Sequence, residues 1–250
     1  MNYRLIFKRI ALLLLMLLVV TGAGFVIWAS NPLGPMAEAE IALQSDDQVT
    51  VTLDPWLVFE PMGETAVSTA FIFYPGGRVD YRSYAPAARA IAEEGYLVII
   101  PPMPLSLAVF DSNAADDIIA AYDEIEKWAI GGHSLGGAMA SSYVYNHEDE
   151  LDGLVLWAAY PAESNDLSSR DLSVLDIYGT EDGSAAELPE VGERLLPDAE
   201  WLVIDGGNHA QFGYYGVQSG DGIATISREE QHEIFTQATA AFLESLESAE

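Results

Sequence analysis

The stretch WAIGGHSLGGAMA, residues 128–140, decides the fold. It places one serine, Ser134, between paired glycines where a short apolar run meets an alanine-rich run. Residues Gly132 to Gly136 match the pattern G-x-S-x-G, in which a serine sits on a strained turn from a strand into a helix. Glycines flank it because side chains there would collide with the adjoining backbone. The stretch therefore predicts a nucleophilic Ser134, with an ordinary helix N-cap as the alternative reading.

The pattern around this stretch is that of an α/β protein. From Val49 onward, short apolar runs alternate with helical patterns, which predicts a sheet with helices on both faces. The predicted strands are Val49–Leu53, Trp56–Phe59, Ala70–Tyr74, Tyr96–Pro101, Trp128–Gly132, Gly153–Trp157, Val174–Tyr178 and Trp201–Ile204. The first two leave little room for a helix between them, so we expect an antiparallel start followed by a mainly parallel, eight-stranded sheet.

A serine hydroxyl needs a base, and the chain has four histidines. His209 directly follows the last predicted strand, on a loop at the edge where such sheets place their sites, and it is the predicted base. His133 neighbours Ser134, and its side chain is expected to point away from the site. His147 and His232 are expected on solvated surface.

The base in turn needs a carboxylate that holds its tautomer and stabilises its charged form. The segment VLDIYGTEDG offers several candidates. Asp182 is preferred because Asp176 lies inside the predicted strand and Glu181 is one residue closer to it. Asp205, near the histidine in sequence, is the reserve candidate. A turn-forming aspartate is the alternative reading of Asp182.

Two backbone amides are expected to stabilise an oxyanion. The Leu135 amide lies at the start of the helix after Ser134, where N–H groups have no intrahelical partner. The segment FIFYPGGRVD places Gly76 and Gly77 after the third strand. Gly77 is the predicted second donor and Arg78 the next choice, although the glycines could also form a plain turn.

Residues from about 69 to 243 resemble an α/β-hydrolase, specifically the compact dienelactone-hydrolase-like or "fold-5" branch. The resemblance rests on YPGG at 74–77, GGHSLGG at 131–137, GTEDG at 179–183 and GGNH at 206–209. It implies an eight-stranded sheet and serine-ester chemistry, with Ser134 as nucleophile, Asp182 as acid and His209 as base. The chain departs from the branch in two ways. Its oxyanion loop does not begin with histidine, and it has serine where dienelactone hydrolases proper have cysteine.

The N-terminus predicts a membrane anchor. Residues Ile10 to Trp28 form an uncharged apolar stretch that is long enough, as a helix, to cross a bilayer. The basic residues Arg4, Lys8 and Arg9 precede it. The positive-inside rule places residues 1–9 in the cytoplasm and the rest outside. A cleaved signal peptide, giving a secreted protein, is the alternative. The predicted division is residues 1–30 as tail and anchor, 31–45 as tether and 46–250 as α/β-hydrolase domain.

Composition excludes several classes of function. All 39 acidic residues follow position 37, and only seven of the ten basic residues do, so the domain repels nucleic acid and anionic lipid surfaces. We interpret this acidity as adaptation to high salt rather than as a merely solubilising surface. The chain has no cysteine, which excludes disulfides and thiolate metal sites, and no spacing implies a metal or organic cofactor. Only Pro161 to Leu172 could form a lid, so the expected lid is minimal. The sequence leaves the oligomeric state open.

Together these features predict a membrane-anchored, extracytoplasmic serine hydrolase that cleaves small-molecule carboxylic esters through an acyl enzyme. The alternative is a catalytically silent α/β-hydrolase fold that serves as a surface binding module.

Overall fold

Eight strands form one sheet within residues 3–63, 66–147, 150–185 and 187–248, which are the residues that the computed structural model describes. The strands are β1 (Val49–Thr52), β2 (Leu57–Pro61), β3 (Thr69–Tyr74), β4 (Leu97–Ile100), β5 (Lys127–His133), β6 (Gly153–Trp157), β7 (Ser173–Gly179) and β8 (Glu200–Ile204). Each corresponds to one predicted strand. The eight-stranded sheet is therefore confirmed.

The strand order across the sheet is β1-β2-β4-β3-β5-β6-β7-β8. Strand β2 pairs antiparallel with both β1 and β4, whereas every other pair is parallel, as the sequence predicts. The carboxyl ends of the parallel strands all lie at one edge of the sheet. The loops after β3, β5, β7 and β8 therefore converge there, and they carry Gly77, Ser134, Asp182 and His209.

Seven helices flank or precede the sheet within the described residues. They are α1 (Tyr3–Ala29), α2 (Ala37–Ala42), α3 (Ala85–Glu93), α4 (Ala114–Ala121), α5 (Leu135–Asn146), α6 (Glu187–Leu195) and α7 (Arg228–Ser248). Side chains of each strand alternate between the two faces, so there are two apolar cores. Phe71 and Trp157 pack on the face covered by α3 and α7, while Ile72 and Ile130 pack on the face covered by α4 and α5. The predicted helices on both faces are thus confirmed.

The connection between β6 and β7 contains no lid helix. Residues 161–172, all of them described, form only turns and irregular backbone. The carboxyl edge of the sheet is left uncovered at this point, in line with the minimal lid expected from the sequence.

The segment predicted as a tether is folded onto the domain. Leu33 forms an isolated parallel bridge with Val79, and the Met36 amide donates to the Tyr214 carbonyl at 2.7 Å. Helix α2 then packs against α3, with Ala39 fully buried. Paired backbone and a buried side chain show that residues 33–42 belong to the folded domain and do not form a free linker.

Helix α1 stands away from the domain over most of its length. Residues Ile6–Ala29 have a mean hydropathy of 2.8 and none of the most apolar part of this helix is buried. A helix this long and apolar, with its side chains exposed, is a candidate for a membrane span. It contacts the domain only through its last turns, near the edge of the sheet where the converging loops lie.

Candidate active site

Ser134 occupies a strained backbone position between β5 and α5. Its φ and ψ are 54° and −122°, a region that non-glycine residues rarely adopt and that costs on the order of 1–3 kcal/mol. Its amide donates to the Trp157 carbonyl at 3.0 Å, which fixes the turn against the neighbouring strand β6. The side chain is half-buried. This is the strand-to-helix turn that the sequence predicts.

The two glycines of the motif are needed because backbones meet closely here. A Cβ atom on Gly132 would lie 2.6 Å from the Tyr74 carbonyl oxygen, and one on Gly136 would lie closer still to the same oxygen. Any side chain at either position would push strand β3 away from the start of α5. The glycines therefore let the helix start directly beside the oxyanion loop that follows β3.

His209 and Asp182 form a buried hydrogen-bonded pair on the loops after β8 and β7. His209 Nδ1 lies 2.7 Å from Asp182 Oδ2, and the two side chains are 9% and 1% exposed. Burial by itself raises the pKa of Asp182, but hydrogen bonds and charge from His209, together with bonds from Ser184, outweigh it. The pKa of Asp182 is therefore lowered. The carboxylate is ionised at neutral pH and can hold the imidazole tautomer with Nε2 available as a base.

Asp221 fixes the backbone beneath the histidine, and the sequence analysis missed it. Its carboxylate accepts the His209 amide at 3.2 Å and the Ala210 amide at 2.8 Å. The reserve acid, Asp205, is instead exposed and lies 3.5 Å from the Thr180 hydroxyl. A carboxylate between glycines in the loop after His209 was the available signal for Asp221. Its distance of 12 residues in sequence gave no reason to connect the two.

His133 does not point away from the site, as the sequence analysis expected. Its ring centroid lies 4.4 Å from that of His209, and Nδ1 lies 2.8 Å from the Tyr84 hydroxyl. Burial, followed by the charge of His209, holds the pKa of His133 well below its usual range, so the ring is neutral. The expectation failed because the loop after β8 folds back over the end of β5. A neutral imidazole thus forms one wall beside the predicted base.

The predicted nucleophile, Ser134, and the predicted base, His209, both neighbour His133 but are not bonded to each other. Within the described residues, no hydrogen bond joins the Ser134 hydroxyl to His209. Ser134 follows His133 directly, and the His133 ring contacts the His209 ring. Catalytic hydrogen bonds are often long in ligand-free enzymes and tighten when substrate binds.

Within the described residues, the amide of Gly77 is the one in the loop after β3 that has no hydrogen-bond partner. The Gly76 amide donates to the Tyr84 hydroxyl at 3.0 Å, and the Arg78 amide donates to the Ser106 carbonyl at 2.7 Å. Gly77 also lies against Leu135, because a Cβ on Gly77 would be 3.0 Å from the Leu135 side chain. Leu135 is the first residue of α5, so its amide has no partner within the helix. These two amides can therefore face one ligand oxygen.

Ser134 opens into a cavity of about 570 Å³. Its wall includes the oxyanion loop, the serine turn, the loop after His209 and two residues from the N-terminal region. The lining residues are Trp28, Leu33, Gly76, Gly77, Arg78, Val79, Leu107, His133, Ser134, Leu135, Val217, Gln218 and Ser219. The aromatic residues Phe212, Tyr214 and Tyr215, in the loop after His209, are buried and do not form the rim of the cavity.

Comparison with known proteins agrees with this geometry. Residues 70–233 match the alpha/beta hydrolase family, which is well over half of the chain. The chain belongs to the α/β-hydrolase family. Membership implies the sheet order and the position of the site, and leaves the reaction to be argued from the residues themselves.

Two solved structures share the fold of this α/β-hydrolase at 18% sequence identity. One is a predicted CIB-like hydrolase from Thermoplasma acidophilum, which superimposes with a TM-score of 0.54 over 78% of this chain and 98% of that one. The other is MGS-MChE2, an α/β-hydrolase enzyme from a lagoon-sediment metagenome of Mar Chica, Morocco. It superimposes with a TM-score of 0.57 over 80% of this chain and 99% of that one. No curated protein matches the chain in sequence.

The remaining histidines of this α/β-hydrolase lie away from Ser134. His232 is buried on α7 between Tyr214 and Phe235, against the expectation of a solvated surface, and burial lowers its pKa to about 3. His147 is half-buried and stacks on Tyr143 with ring centroids 4.0 Å apart. Neither touches the candidate site, so both stay outside its chemistry.

One cluster of side chains could hold a cation. Potential ligand atoms of Asp116, His147 and Glu150 all lie within 4.8 Å of one another. The Tyr143 hydroxyl already donates to Asp116 at 2.7 Å and lies 3.2 Å from Glu150. The two carboxylates are exposed, and the cluster lies apart from the residues around Ser134. It does not bear on the chemistry proposed for that serine.

Proposed function

We propose that this chain is a serine hydrolase that cleaves carboxylic esters. The observation that carries the proposal is the buried 2.7 Å pair between His209 and Asp182, held beside a serine on a strained strand-to-helix turn. An ionised carboxylate behind an imidazole is the arrangement that makes a serine hydroxyl nucleophilic. The free Gly77 and Leu135 amides supply the charge stabilisation that acyl transfer requires.

The proposed reaction has two halves. His209 Nε2 takes the Ser134 proton as Oγ attacks the ester carbonyl, and the two amides bind the resulting oxyanion. The ester C–O bond then breaks, the alcohol leaves with the proton from His209, and an acyl enzyme remains. In the second half, His209 deprotonates a water that attacks the acyl group, and Ser134 recovers its proton as the carboxylic acid departs. Asp182 stabilises the imidazolium in both halves.

A fluorophosphonate probe tests this proposal directly. We expect covalent labelling of the wild-type chain, complete loss of labelling in Ser134→Ala, and retained labelling in Ser142→Ala. Ser142 is the matched control because it is a half-buried serine on α5, the helix that begins directly after Ser134. Labelling is measured at low and at molar chloride, with circular dichroism to confirm that each sample is folded. A folded wild-type chain that takes no label would overturn the proposal and favour a binding module.

We also propose that α1 is retained as a membrane anchor with the domain outside the cytoplasm. Docking of residues 33–42 onto the domain supports retention. Ala37-Glu38-Ala39 has the small-residue spacing of a signal-peptide cleavage site, and cleavage there would cut beside the fully buried Ala39 and remove the Leu33 bridge. The basic residues Arg4, Lys8 and Arg9 support the orientation. Intact mass from the membrane fraction tests retention, and digestion by protease added outside intact cells tests the side.

A further inference from the structure

Helix α1 joins the domain at the rim of the active site. The Phe25 ring packs edge-on against Phe110 with centroids 6.1 Å apart, and the Arg78 guanidinium lies 4.2 Å above the Trp28 ring. The same guanidinium donates to the Trp28 and Asn31 carbonyls at 3.2 and 2.8 Å. A cation bonded to the carbonyls at a helix C-terminus holds that end in place. The end of α1 is therefore fixed beside the oxyanion loop, since Arg78 follows Gly77.

The length of α1 sets the depth of this rim in a bilayer. Arg9 is the last charged residue before the apolar stretch, so the hydrocarbon region begins no earlier than residue 10. About 20 helical residues cross about 30 Å of hydrocarbon, and a span that starts at Ile10 ends at Ala29. Trp28 then lies at the outer interface, where tryptophan is enriched in membrane proteins.

Trp28 also lines the cavity into which Ser134 opens. Trp28, at the bilayer interface, and Ser134, the candidate nucleophile, thus line the same cavity of about 570 Å³. Because the rest of α1 leaves the domain from this rim, the cavity lies at the end of the domain nearest the candidate membrane span. It does not lie on the far side of the domain.

The charge and polarity around the mouth suit that position. None of the described residues that line the cavity is acidic, and Arg78 is their only permanently charged side chain, in a chain with 39 acidic residues. Next to the mouth, Val109 and Phe110 are 53% and 52% exposed, and Val217 on the cavity wall is 90% exposed. We call these three residues the apolar rim. Exposed apolar groups beside a membrane helix fit insertion among lipid headgroups.

We propose that the apolar rim rests on the outer surface of the bilayer and that the site hydrolyses esters of membrane-resident amphiphiles. The acyl or alkyl chain of the substrate stays in the hydrocarbon, and its ester carbonyl reaches Ser134 from the headgroup level. Water is the second reactant, and the products are the carboxylic acid and the alcohol. This inference rests on the proposed serine hydrolase and its retained anchor, and adds the class of substrate.

A single fluorophore measures how deeply the apolar rim lies in the bilayer. The chain has no cysteine, so one introduced cysteine can be labelled selectively. The full chain in phosphatidylcholine vesicles carries a label at Val109→Cys or at Met62→Cys. Met62 is 57% exposed and follows β2 at the opposite end of the sheet, so it is the matched control. We expect nitroxide-labelled lipid to quench the label at position 109 and aqueous iodide to quench the label at position 62. Equal behaviour of the two labels in the anchored chain would overturn the proposed orientation.

Substrate class is measured with two fluorogenic esters that have the same leaving group. One is a long-chain ester embedded in the vesicles, and the other is a water-soluble short-chain ester. Phe110→Ser should slow hydrolysis of the embedded ester about threefold to tenfold, because a phenyl ring no longer inserts, and leave the soluble ester unchanged. Met62→Ser should change neither rate.

The outcomes separate this inference from the function on which it rests. Equal loss on both esters in Phe110→Ser, or no loss on the embedded ester, would overturn the membrane-resident substrate while fluorophosphonate labelling of Ser134 stayed intact. Absence of that labelling would instead overturn the proposed serine hydrolase. Recovery of a soluble chain lacking residues 1–29 would overturn the proposed membrane anchor.

Discussion

Asp176 and Asp182 are both buried carboxyl groups on or just after β7, and their environments are opposite. Asp182 accepts hydrogen bonds from His209, from the Ser184 amide at 2.8 Å and from the Ser184 hydroxyl at 2.6 Å, and its pKa is lowered. Neither oxygen of Asp176 has a partner within the described residues. Burial alone raises the pKa of Asp176 well above its usual value.

The difference follows from where each residue sits. Asp176 lies inside β7, paired in register with Leu156 on one side and Trp201 on the other, so the sheet uses the backbone donors around it. Val174, two residues earlier on the same face, belongs to an apolar core. Asp182 lies beyond the end of the strand, where a loop can turn an amide and a hydroxyl toward it. The loop therefore favours the ionised form of Asp182, whereas burial in the strand favours the protonated form of Asp176.

The largest expected effect comes from removing the charge that the loop supports. Asp182→Asn should lower kcat for a soluble ester about 10³–10⁴-fold, because the amide no longer holds the productive tautomer of His209. Steady-state kinetics measure the loss, and Asp205→Asn is the control because Asp205 is exposed and bonded only to Thr180. A loss of less than tenfold in folded Asp182→Asn would show that another group serves as the acid.

Asp176, inside β7, should make the free energy of unfolding depend on pH. A raised pKa in the folded state means that protonated Asp176 contributes fully below the unfolded pKa, near 3.8, and that this contribution is lost as pH rises through the folded pKa. Asp176→Asn does not titrate. Its free energy of unfolding, relative to wild type, should therefore rise between pH 4 and pH 8.

Urea denaturation at several pH values measures this difference. The amide is also unpaired, so only the change with pH is diagnostic and the absolute stability of the variant is not. A difference that stays constant from pH 4 to pH 8 would mean that Asp176 keeps an ordinary pKa in the folded protein.

The smallest predicted change in rate comes from removing the Ser184 hydroxyl, which bonds Asp182 in the loop after β7. Ser184→Ala removes one hydroxyl bond to Asp182, worth about 1 kcal/mol, and should lower kcat about fivefold. The pKa of Asp182 should rise toward its usual value, because a hydroxyl bond that favours the carboxylate is lost, and steady-state kinetics measure the change in kcat. Ser168→Ala is the matched control, since the Asp166 carboxylate accepts the Ser168 amide in the same Asp-x-Ser spacing on the surface. Equal effects of the two substitutions would contradict a special role for Ser184.

What could be predicted from the sequence depends on local signals. Strand periodicity located all eight strands, and the glycines around Ser134 predicted the turn because their cause lies within a few residues. Asp182 and His209 were chosen by position after strands, and they are the residues that the structure brings together. Their catalytic roles stay predictions.

Contacts between segments that are distant in the sequence were not predicted. The inward position of His133 depends on how the loop after β8 folds back, and the burial of His232 depends on Tyr214. Residues 31–45 look like a tether because proline and glycine interrupt them, yet Leu33 finds a partner at Val79. No periodicity records such pairings, because each is decided by the tertiary arrangement of other elements.

The hydrogen bond from Met36 to the carbonyl of Tyr214 has a consequence for biosynthesis. Ribosomes extend the chain from its N-terminus, so α1 and the residues behind it emerge first, whereas Tyr214 is made when most of the domain has already been translated. Residues 33–42 must then wait for their binding surface to form. Docking of this early segment onto the rest of the domain is therefore one of the last steps of folding.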